Sequence, residues 1–367
     1  MPDNLIDEVA RQLRVCNACR YCEGYCAVWP AMERRTAFEE KDVIFLANLC
    51  YNCRDCYSAC PFTPPHEFNI NIPQAMSEVR LQTYQKQTAP EVTSSLFKRP
   101  GRAASLFATL SIIALFLFSS AIGNPSRLIS TQGGLGSFYV IIPYWIIIVA
   151  GFTSGAYVLL AYFLEIRTFC IKMHGSFADF FKPKIVWLAA MDALKHTYFK
   201  GGGTGCRYPN EKGSYSFLSL HMMVFYGFLS AIVSTILAGV YQDYLGILPP
   251  YGLATPPVIF GILGGGLMIA GTSVLLYFKV ISEKAPAFRK MFNLDAAFLI
   301  TLDLVSITGF LTLVLRSTSA LGVIFIIHLG LVLSLFLTAP YGKFVHFIYR
   351  FAALENDKLE QLKAVKT

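Results

Sequence analysis

Six long apolar runs constrain the fold of this chain more than any other feature of its sequence. They lie near residues 105–122, 138–166, 217–240, 257–280, 294–315 and 320–348. A run of about 20 apolar residues is long enough to cross the hydrocarbon core of a bilayer as a helix. Because a helix satisfies its own backbone hydrogen bonds in lipid, the runs predict a transmembrane bundle of about six helices.

The composition agrees with insertion into a lipid bilayer and argues against nucleic-acid binding. Of the 367 residues, 54% are hydrophobic and only 15% are charged, which is too apolar for an ordinary soluble protein. The net charge of +8 could attract a nucleic acid. However, Lys and Arg lie beside the apolar runs, as in the cytoplasmic loops of membrane proteins, so we expect no nucleic-acid partner.

The loops between the apolar runs predict the orientation of the chain. Lys and Arg concentrate in the segment 167–214, in the loop near 281–293 and in the C-terminal tail. The alternate loops contain almost no Lys or Arg; the exceptions are Arg127 and Arg316. The positive-inside bias therefore predicts a multi-pass protein of the inner (cytoplasmic) membrane, with both termini and the segment 167–214 on the cytoplasmic side.

Residues 1–95 differ from the rest of the chain because they are polar and hold eight of the ten cysteines. No apolar stretch typical of a secretory signal peptide precedes these cysteines, so we do not expect a disulfide framework. A cytoplasmic metal-binding domain fits better. We therefore expect an iron–sulfur domain at 1–95 and a membrane domain at 96–367, with a cytoplasmic loop at 167–214.

The eight cysteines form two runs with the same internal spacing. The runs are Cys16-x2-Cys19-x2-Cys22-x3-Cys26 and Cys50-x2-Cys53-x2-Cys56-x3-Cys60-Pro61. This spacing is typical of ferredoxins with two [4Fe–4S] clusters, in which the fourth cysteine of each run ligates the other cluster. A pair of zinc sites would leave the spacing unexplained. The pattern predicts that cluster 1 is bound by Cys16, Cys19, Cys22 and Cys60, and cluster 2 by Cys50, Cys53, Cys56 and Cys26.

The linker between the two cysteine runs indicates which kind of ferredoxin fold to expect. Val43, Leu46, Ala47 and Leu49 fall at roughly helical spacing. This favours a helical ferredoxin over the small βαβ type. Together with the apolar runs, the linker predicts an all-α chain, with a helical two-cluster ferredoxin-like domain followed by the transmembrane bundle.

Histidines within the spans are candidate haem ligands, because ionisable residues are rare there and usually functional. Haem b in a helix bundle needs two axial imidazoles from facing helices. His221 lies near the cytoplasmic start of the third span and His346 lies at similar depth on the sixth, so we expect this pair to bind haem b. His328 lies five turns from His346 on the same predicted helix, with Pro340 between them.

Three roles for His328 stay open, and with them the number of haem groups, one or two. His328 could ligate a second haem with a non-histidine partner, or it could pair with His221 in place of His346. It could also contact a quinone, the expected electron acceptor. The alternative to all three is an ordinary interhelical hydrogen bond.

The remaining polar features carry weaker signals. We expect His66 to order the loop after the second cysteine run, or a docking surface, rather than to bind a metal. We expect His174 and His196 to be solvated in the cytoplasmic loop. The glycine-rich stretch 201–206 lacks the Gly-Lys-Ser/Thr ending of a P-loop, so it predicts either close backbone packing or a flexible turn. Asp303, near the middle of the fifth span, predicts either a proton relay to reduced quinone or an interhelical hydrogen bond.

Several long strings of the sequence resemble one family over nearly the whole chain. They are CNACRYCEGYCAVWPAMERR, LANLCYNC, PPHEFNINIPQAMSEVRLQTYQ, DALKHTYFKGGGTGC, FYGFLSAIVST and LTAPYGKFVHFIYRFAAL. These strings resemble the tricarballylate/citrate utilisation protein B family (TcuB/CitB). The resemblance implies an electron carrier that reoxidises the reduced flavin of a partner tricarballylate dehydrogenase, a soluble FAD-dependent flavoprotein, and passes electrons to the quinone pool.

Two other functions compete with this expectation. The membrane electron-transfer subunit of a heterodisulfide- or sulfur-metabolism reductase would share helical ferredoxins and haem bundles. A redox-sensing membrane protein would use its clusters to report oxidation state. Transport is disfavoured, since the spans hold almost no charged residue besides Asp303 and no paired broken helices.

Overall fold

The computed structural model describes residues 3–86, 98–123, 125–174 and 177–364, which form an almost entirely helical protein. The N-terminal region packs short and medium-length helices around one core. Their bounds are Asp3–Cys19 (α1), Val28–Glu33 (α2), Glu40–Leu49 (α3), Asp55–Ser58 (α4) and Ile72–Lys86 (α5). The all-α prediction is confirmed.

Helix α3 forms between the two cysteine runs because the sequence provides both a start signal and an apolar face. The helix begins with a capping box, in which Glu39 and Asp42 each accept a hydrogen bond from the other's backbone N–H. Every residue from Val43 to Leu49 is buried in the core. The helix predicted from the apolar spacing is therefore confirmed, and its end brings Cys50 to the centre of the domain.

Six helices among the described residues are long and apolar enough to cross a membrane, as the apolar runs predicted. They are Pro100–Ile122 (α6), Tyr144–His174 (α8), Ser216–Asp243 (α10), Pro256–Ile281 (α11), Arg289–Val314 (α12) and Leu321–Thr338 (α13). Between and after them lie Ser137–Ile141 (α7), Pro183–Lys195 (α9), the antiparallel strands Cys206–Arg207 (β1) and Gly213–Ser214 (β2), and His346–Ala364 (α14). The chain is therefore built as a multi-pass membrane protein.

Helices α10 and α11 approach each other through glycines. A Cβ added to Gly264 would lie 2.7 Å from the carbonyl oxygen of Gly227, which is closer than any real side chain allows. Nearer the start of α10, a Cβ at Gly271 would lie 3.0 Å from the carbonyl oxygen of Leu220. Small residues permit such close backbone packing in lipid. This contact holds the part of α10 that carries His221.

The last span ends earlier than the sequence predicted. Helix α13 ends at Thr338, two short 3₁₀ turns follow, and α14 begins as a separate helix at His346. The prediction that His328 and His346 share one helix is therefore wrong. Pro340 has no N–H to donate to the helix, and Gly342 adopts an extended conformation, so the helix cannot continue through this segment.

Helix α14 packs into the core of the N-terminal domain. Its residues Tyr349, Ala352, Ala353 and Leu354 are buried in the same apolar cluster as residues of α1 and α3. The ring of Tyr349 stacks on that of Tyr84, with centroids 5.3 Å apart. The C-terminal helix therefore connects the end of the membrane bundle directly with the cysteine-rich domain.

Candidate functional site

Two neighbouring cavities in the N-terminal domain collect the eight cysteines. The first cavity is lined by Cys16, Cys19, Cys22, Cys56 and Cys60. The second cavity is lined by Cys16, Cys26, Cys50, Cys53 and Cys56. Each cavity thus receives the first three cysteines of one run and the last cysteine of the other, and two cysteines lie between them. This geometry favours the crossed ligand assignment, which stays a prediction.

Unusual backbone conformations turn the second cysteine run around its cavity. Asn52 and Arg54 have φ values of 58° and 67°, in the left-handed region that residues other than glycine rarely adopt. The backbone N–H of Asn52 donates to Sγ of Cys50 at 3.4 Å, and that of Phe62 donates to Sγ of Cys60 at 3.4 Å. Hydrogen bonds of this kind to cysteine sulfurs tune the potential of a bound cluster.

The thiols of these cavities fit a ligand that carries positive charge. Burial, together with the neighbouring thiols, raises the pKa of Cys16, Cys22 and Cys26 to about 12. The metal-binding thiolate form therefore needs cations beside it, and the irons of a [4Fe–4S] cluster meet that need. Within the described ranges, no three His, Cys, Asp or Glu side chains converge on the position of a single metal ion. A four-iron cluster is larger and binds cysteines that lie farther apart.

The glycine-rich stretch packs against the cysteine domain, which was the first of its two predicted alternatives. The backbone N–H of Gly202 donates to Oδ2 of Asp55 at 2.7 Å. A Cβ on Gly201, whose φ is +58°, would overlap the carboxylate of Asp55. In β1, the N–H of Arg207 donates to the carbonyl oxygen of Cys53 at 2.9 Å. The membrane domain therefore contacts the second cavity through backbone atoms.

Three histidines meet beside this contact. The ring centroids of His221 and His346 are 6.5 Å apart, and those of His196 and His221 are 5.0 Å apart. The expectation that His196 is solvated is wrong, because only 4% of this residue is exposed. The apolar face of α9, where Ile185 and Ala189 are buried, carries the segment inward. This apolar periodicity is visible in the sequence and indicates that the segment leading to His196 packs inward.

The hydrogen bonds of the three rings define which nitrogen of each carries a proton. Nδ1 of His346 lies 2.6 Å from the carbonyl oxygen of Lys343, and Nδ1 of His196 lies 3.1 Å from that of Leu194. A carbonyl oxygen only accepts, so both Nδ1 atoms are protonated donors. Burial lowers the pKa of His196, and burial with the charges nearby lowers that of His346 to about 3, so both rings are neutral.

A neutral His196 presents its Nε2 as an acceptor, and this atom lies 3.0 Å from Nδ1 of His221. His221 therefore donates through Nδ1, and the Nε2 atoms of His221 and His346 both keep free lone pairs. The ring centroids of the two histidines are 6.5 Å apart. His221 and His346 would therefore be the residues to hold a haem iron here, through these two nitrogens, and the iron would supply one-electron chemistry.

Aromatic rings connect the second cysteine cavity with these histidines. The ring centroid of Tyr51 lies 5.4 Å from that of Phe199, which in turn lies 5.1 Å from that of His221. From α14, the guanidinium of Arg350 lies 4.2 Å from the ring centroid of Tyr51 and donates to the carbonyl oxygen of Cys50 at 2.8 Å. None of these three connecting residues was singled out in the sequence.

The two polar residues predicted within the fifth and sixth spans both make contacts between helices. Nδ1 of His328 lies 3.1 Å from Oγ1 of Thr308 on α12. Asp303 accepts a hydrogen bond of 2.8 Å from Oγ1 of Thr272 on α11, so the interhelical hydrogen bond expected for it is confirmed. Neither residue belongs to the histidine group beside the cysteine domain.

His66 and His174 are the remaining two histidines of the sequence. Nδ1 of His66 accepts a hydrogen bond of 3.1 Å from the backbone N–H of Phe68. This bond, with the ring contact between the two residues at 5.0 Å, orders the loop after the second cysteine run as expected. The side chain of His174 lies outside the described part of the chain.

The fold and the cysteine cavities define a class of protein, the membrane-bound iron–sulfur electron carriers. Residues 98–366 match the citrate utilization protein B family, and residues 9–86 match the Fer4-like domain of that family. The chain is 38% identical over 356 residues to citrate utilization protein B of Escherichia coli, covering 96% of this chain and 92% of the relative. No solved structure matches it.

The chain therefore belongs to the citrate utilization protein B family, which confirms the resemblance found in its sequence. The match to the Fer4-like domain supports an iron–sulfur electron-transfer role. The two matches together account for both halves of the chain, so the cysteine domain and the membrane helices belong to one family architecture.

Proposed function

We propose that this protein reoxidises the reduced flavin of a soluble FAD-dependent dehydrogenase and passes the electrons to quinone in the membrane. One [4Fe–4S] cluster is held by Cys16, Cys19, Cys22 and Cys60, and the other by Cys50, Cys53, Cys56 and Cys26. His221 and His346 hold haem b through their Nε2 atoms. Iron–sulfur clusters and haem take up and release single electrons, which divides the electron pair of a reduced flavin.

The observation that carries the proposal is the series of contacts from the cysteine cavities to the histidine pair. The two cavities share Cys16 and Cys56, so they adjoin. The rings of Tyr51 and Phe199 then bridge from the second cavity to His221, with centroid separations of 5.4 and 5.1 Å. A fixed series of short contacts supports transfer within one protein without a mobile carrier.

Buried arginines support negative charge at the second cavity. Arg80 and Arg350 both donate hydrogen bonds to the carbonyl oxygen of Cys50, and only 3% of Arg80 is exposed. Arg54 is 5% exposed and lies over the ring of Tyr208. A buried guanidinium keeps its proton, so these side chains stabilise the thiolates and favour the arrival of an electron there.

The exposure of the cysteines supports a direction of transfer from the first cavity to the second. Cys19 at the first cavity is exposed, and beside it Tyr21 is 65% exposed. Cys50 and Cys53 at the second cavity are buried. A cytoplasmic flavoprotein can thus approach the first cavity if the cysteine domain and both termini are cytoplasmic, as the positive-inside bias predicts.

The identity of the partner's substrate rests on the family. The Escherichia coli relative is named for citrate utilization, and the sequence strings resemble proteins that act with tricarballylate dehydrogenase. We therefore place the partner among flavoproteins that oxidise a tricarboxylate such as tricarballylate. No contact among the described residues specifically favours either competing function, the sulfur-metabolism reductase subunit or the redox sensor.

The test uses anaerobically purified protein in lipid nanodiscs. The protein is reduced with titanium(III) citrate and mixed rapidly with decylubiquinone or menadione while the cluster and haem absorbances are followed. We expect the clusters and the haem to reoxidise together, with one quinol formed for every two electrons. A protein without a haem band, or one whose haem stays reduced in excess quinone, contradicts the proposal. A sensor would form no quinol over repeated turnovers.

A further inference from the structure

His196 contacts the expected haem ligand His221 although it is not itself one of the two expected ligands. Its Nε2 lies 3.0 Å from Nδ1 of His221, and its Nδ1 lies 3.1 Å from the carbonyl oxygen of Leu194. The same carbonyl oxygen accepts a second hydrogen bond, of 2.8 Å, from the hydroxyl of Tyr226. The ring of His196 also packs against Phe225, with centroids 5.2 Å apart. The side chain is therefore held on several sides.

These hydrogen bonds permit one arrangement of protons in which His221 can bind a metal. The carbonyl oxygen of Leu194 requires a proton on Nδ1 of His196, which leaves Nε2 of that neutral ring as an acceptor. His221 then donates its Nδ1 proton to His196 and keeps a lone pair on Nε2. If His196 donated instead, Nδ1 of His221 would have to accept, and a neutral His221 would carry its proton on Nε2, where it could not bind iron.

We infer that His196 is a positioning residue for the axial ligand His221: it fixes the tautomer and orientation of that imidazole and raises the basicity of its Nε2. The inference rests on the proposed function, because it needs His221 to bind haem iron. Metal-bound histidines commonly donate their second ring N–H to a neighbouring acceptor, and loss of that acceptor costs about 10–100-fold in metal affinity or activity. A more basic ligand favours ferric over ferrous iron, so His196 lowers the haem potential.

The backbone at His196 shows that the chain is shaped to present this ring. The residue has φ +50° and ψ +41° and forms the C-cap of α9. Left-handed caps are usually glycine, because other residues meet a steric penalty there. Glycine would end the helix without this penalty. The left-handed conformation at His196 places its imidazole beside His221.

The test compares two substitutions that differ in hydrogen bonding. His196→Phe keeps a planar ring but removes the acceptor, whereas His196→Gln keeps an amide oxygen that can accept from His221 and an amide N–H that can donate to Leu194. Optical redox titration and low-spin EPR are carried out on both variants and on the wild type. We expect His196→Phe to raise the ferrous-to-ferric ratio at a fixed ambient potential by up to about tenfold, or about 59 mV. We expect His196→Gln to restore most of the wild-type value.

The result that would overturn the proposed function differs from the results that would overturn the role of His196. A wild-type protein without haem contradicts the proposed function itself. If His196→Phe binds haem with wild-type potential and g-values, His196 does not act through the ligand and the inference is overturned. If His196→Phe loses haem, retention at wild-type potential in His196→Gln supports the inference, and loss of haem in both variants overturns it.

Discussion

The backbone N–H of Gly202 donates a hydrogen bond of 2.7 Å to Oδ2 of Asp55, joining two segments that lie 147 residues apart in the chain. Asp55 is 2% exposed and begins α4 between two cysteines of the second cavity. The guanidinium of Arg207 approaches its other carboxylate oxygen at 3.6 Å. The carboxylate therefore anchors the glycine-rich stretch against the cysteine domain, close to the point where Phe199 connects the cavity with His221.

We predict that Gly201→Ala disrupts this contact while Gly203→Ala largely preserves it. Both glycines have positive φ, +58° and +91°, so both substitutions cost about 1–2 kcal/mol of backbone strain. Only the new Cβ at position 201 overlaps Asp55, whereas one at position 203 meets no atom within 4 Å. Transfer from clusters to haem, followed by stopped-flow absorbance, should slow at least about tenfold in Gly201→Ala alone. Equal rates in the two variants would mean that this contact does not align the domains.

We predict that the protein holds about eight cluster irons and that its cluster ligands are crossed. Cys60→Ser should damage the cluster of the first cavity, and Cys26→Ser that of the second, because each residue lines the cavity of the other cysteine run. Iron and acid-labile sulfide assays give the content, and cluster-resolved EPR distinguishes the two losses. Stoichiometric zinc without sulfide, or damage confined to the cluster beside each cysteine in sequence, would refute the assignment.

We predict that His221→Ala abolishes the low-spin haem spectrum and leaves both clusters intact. Its Nε2 is one of the two free imidazole nitrogens beside the cysteine domain, so its loss leaves the iron without one axial ligand. His328→Ala is the matched control, since that ring contacts Thr308 away from the pair. Optical spectra and haem content report the result. A normal low-spin haem in His221→Ala shows the pairing to be wrong, and loss of half the haem in His328→Ala indicates a second haem.

We predict that Glu360→Ala loosens the C-terminal helix from the cysteine domain. The carboxylate of Glu360 accepts hydrogen bonds from Arg35 at 2.6 Å and Arg34 at 3.1 Å, in a largely buried network. Its loss should lower the free energy of unfolding by about 1–3 kcal/mol, less than for a fully buried pair. The control is Glu23→Ala, which removes an exposed ion pair with Arg20 and should leave the midpoint almost unchanged, because solvent screens such a pair. Thermal bleaching of the cluster absorbance measures both, and equal midpoints contradict the prediction.

We predict that Glu355→Gln stabilises the protein at alkaline pH. Burial raises the pKa of Glu355 from its ordinary value of 4.5 to about 7, so the folded protein holds a proton that the unfolded chain releases. The stability that this gives is complete below pH 4.5 and is lost as the pH rises through 7. Glu355→Gln should therefore raise the free energy of unfolding by about 1–2 kcal/mol at pH 8 and little at pH 5.

Thermal unfolding of Glu355→Gln at both pH values provides the measurement. Glu67→Gln, on an exposed loop, is the control and should change neither midpoint. A gain of equal size at pH 5 and pH 8 would show that packing, rather than the charge of Glu355, limits stability at this position.

Much of the architecture could be predicted because it depends on local properties of the chain. The length of each apolar run determines whether a helix can cross a bilayer, and the cysteine spacing determines how thiols wrap a cluster. The helix before Cys50 followed from apolar spacing alone. Pro340 alone predicts only a kink between His328 and His346. The full interruption of the helix at Gly342 depends on how α14 docks against the cysteine domain.

By itself, the sequence determined that this is a helical membrane protein with a two-run cysteine domain of the citrate utilization protein B family. Only the tertiary structure decided that His196 is buried beside His221 and that Phe199 lies between that histidine and Tyr51. Residues far apart in the chain meet only where helices and loops pack against each other. No periodicity or spacing encodes such a meeting, since it depends on the relative placement of whole elements.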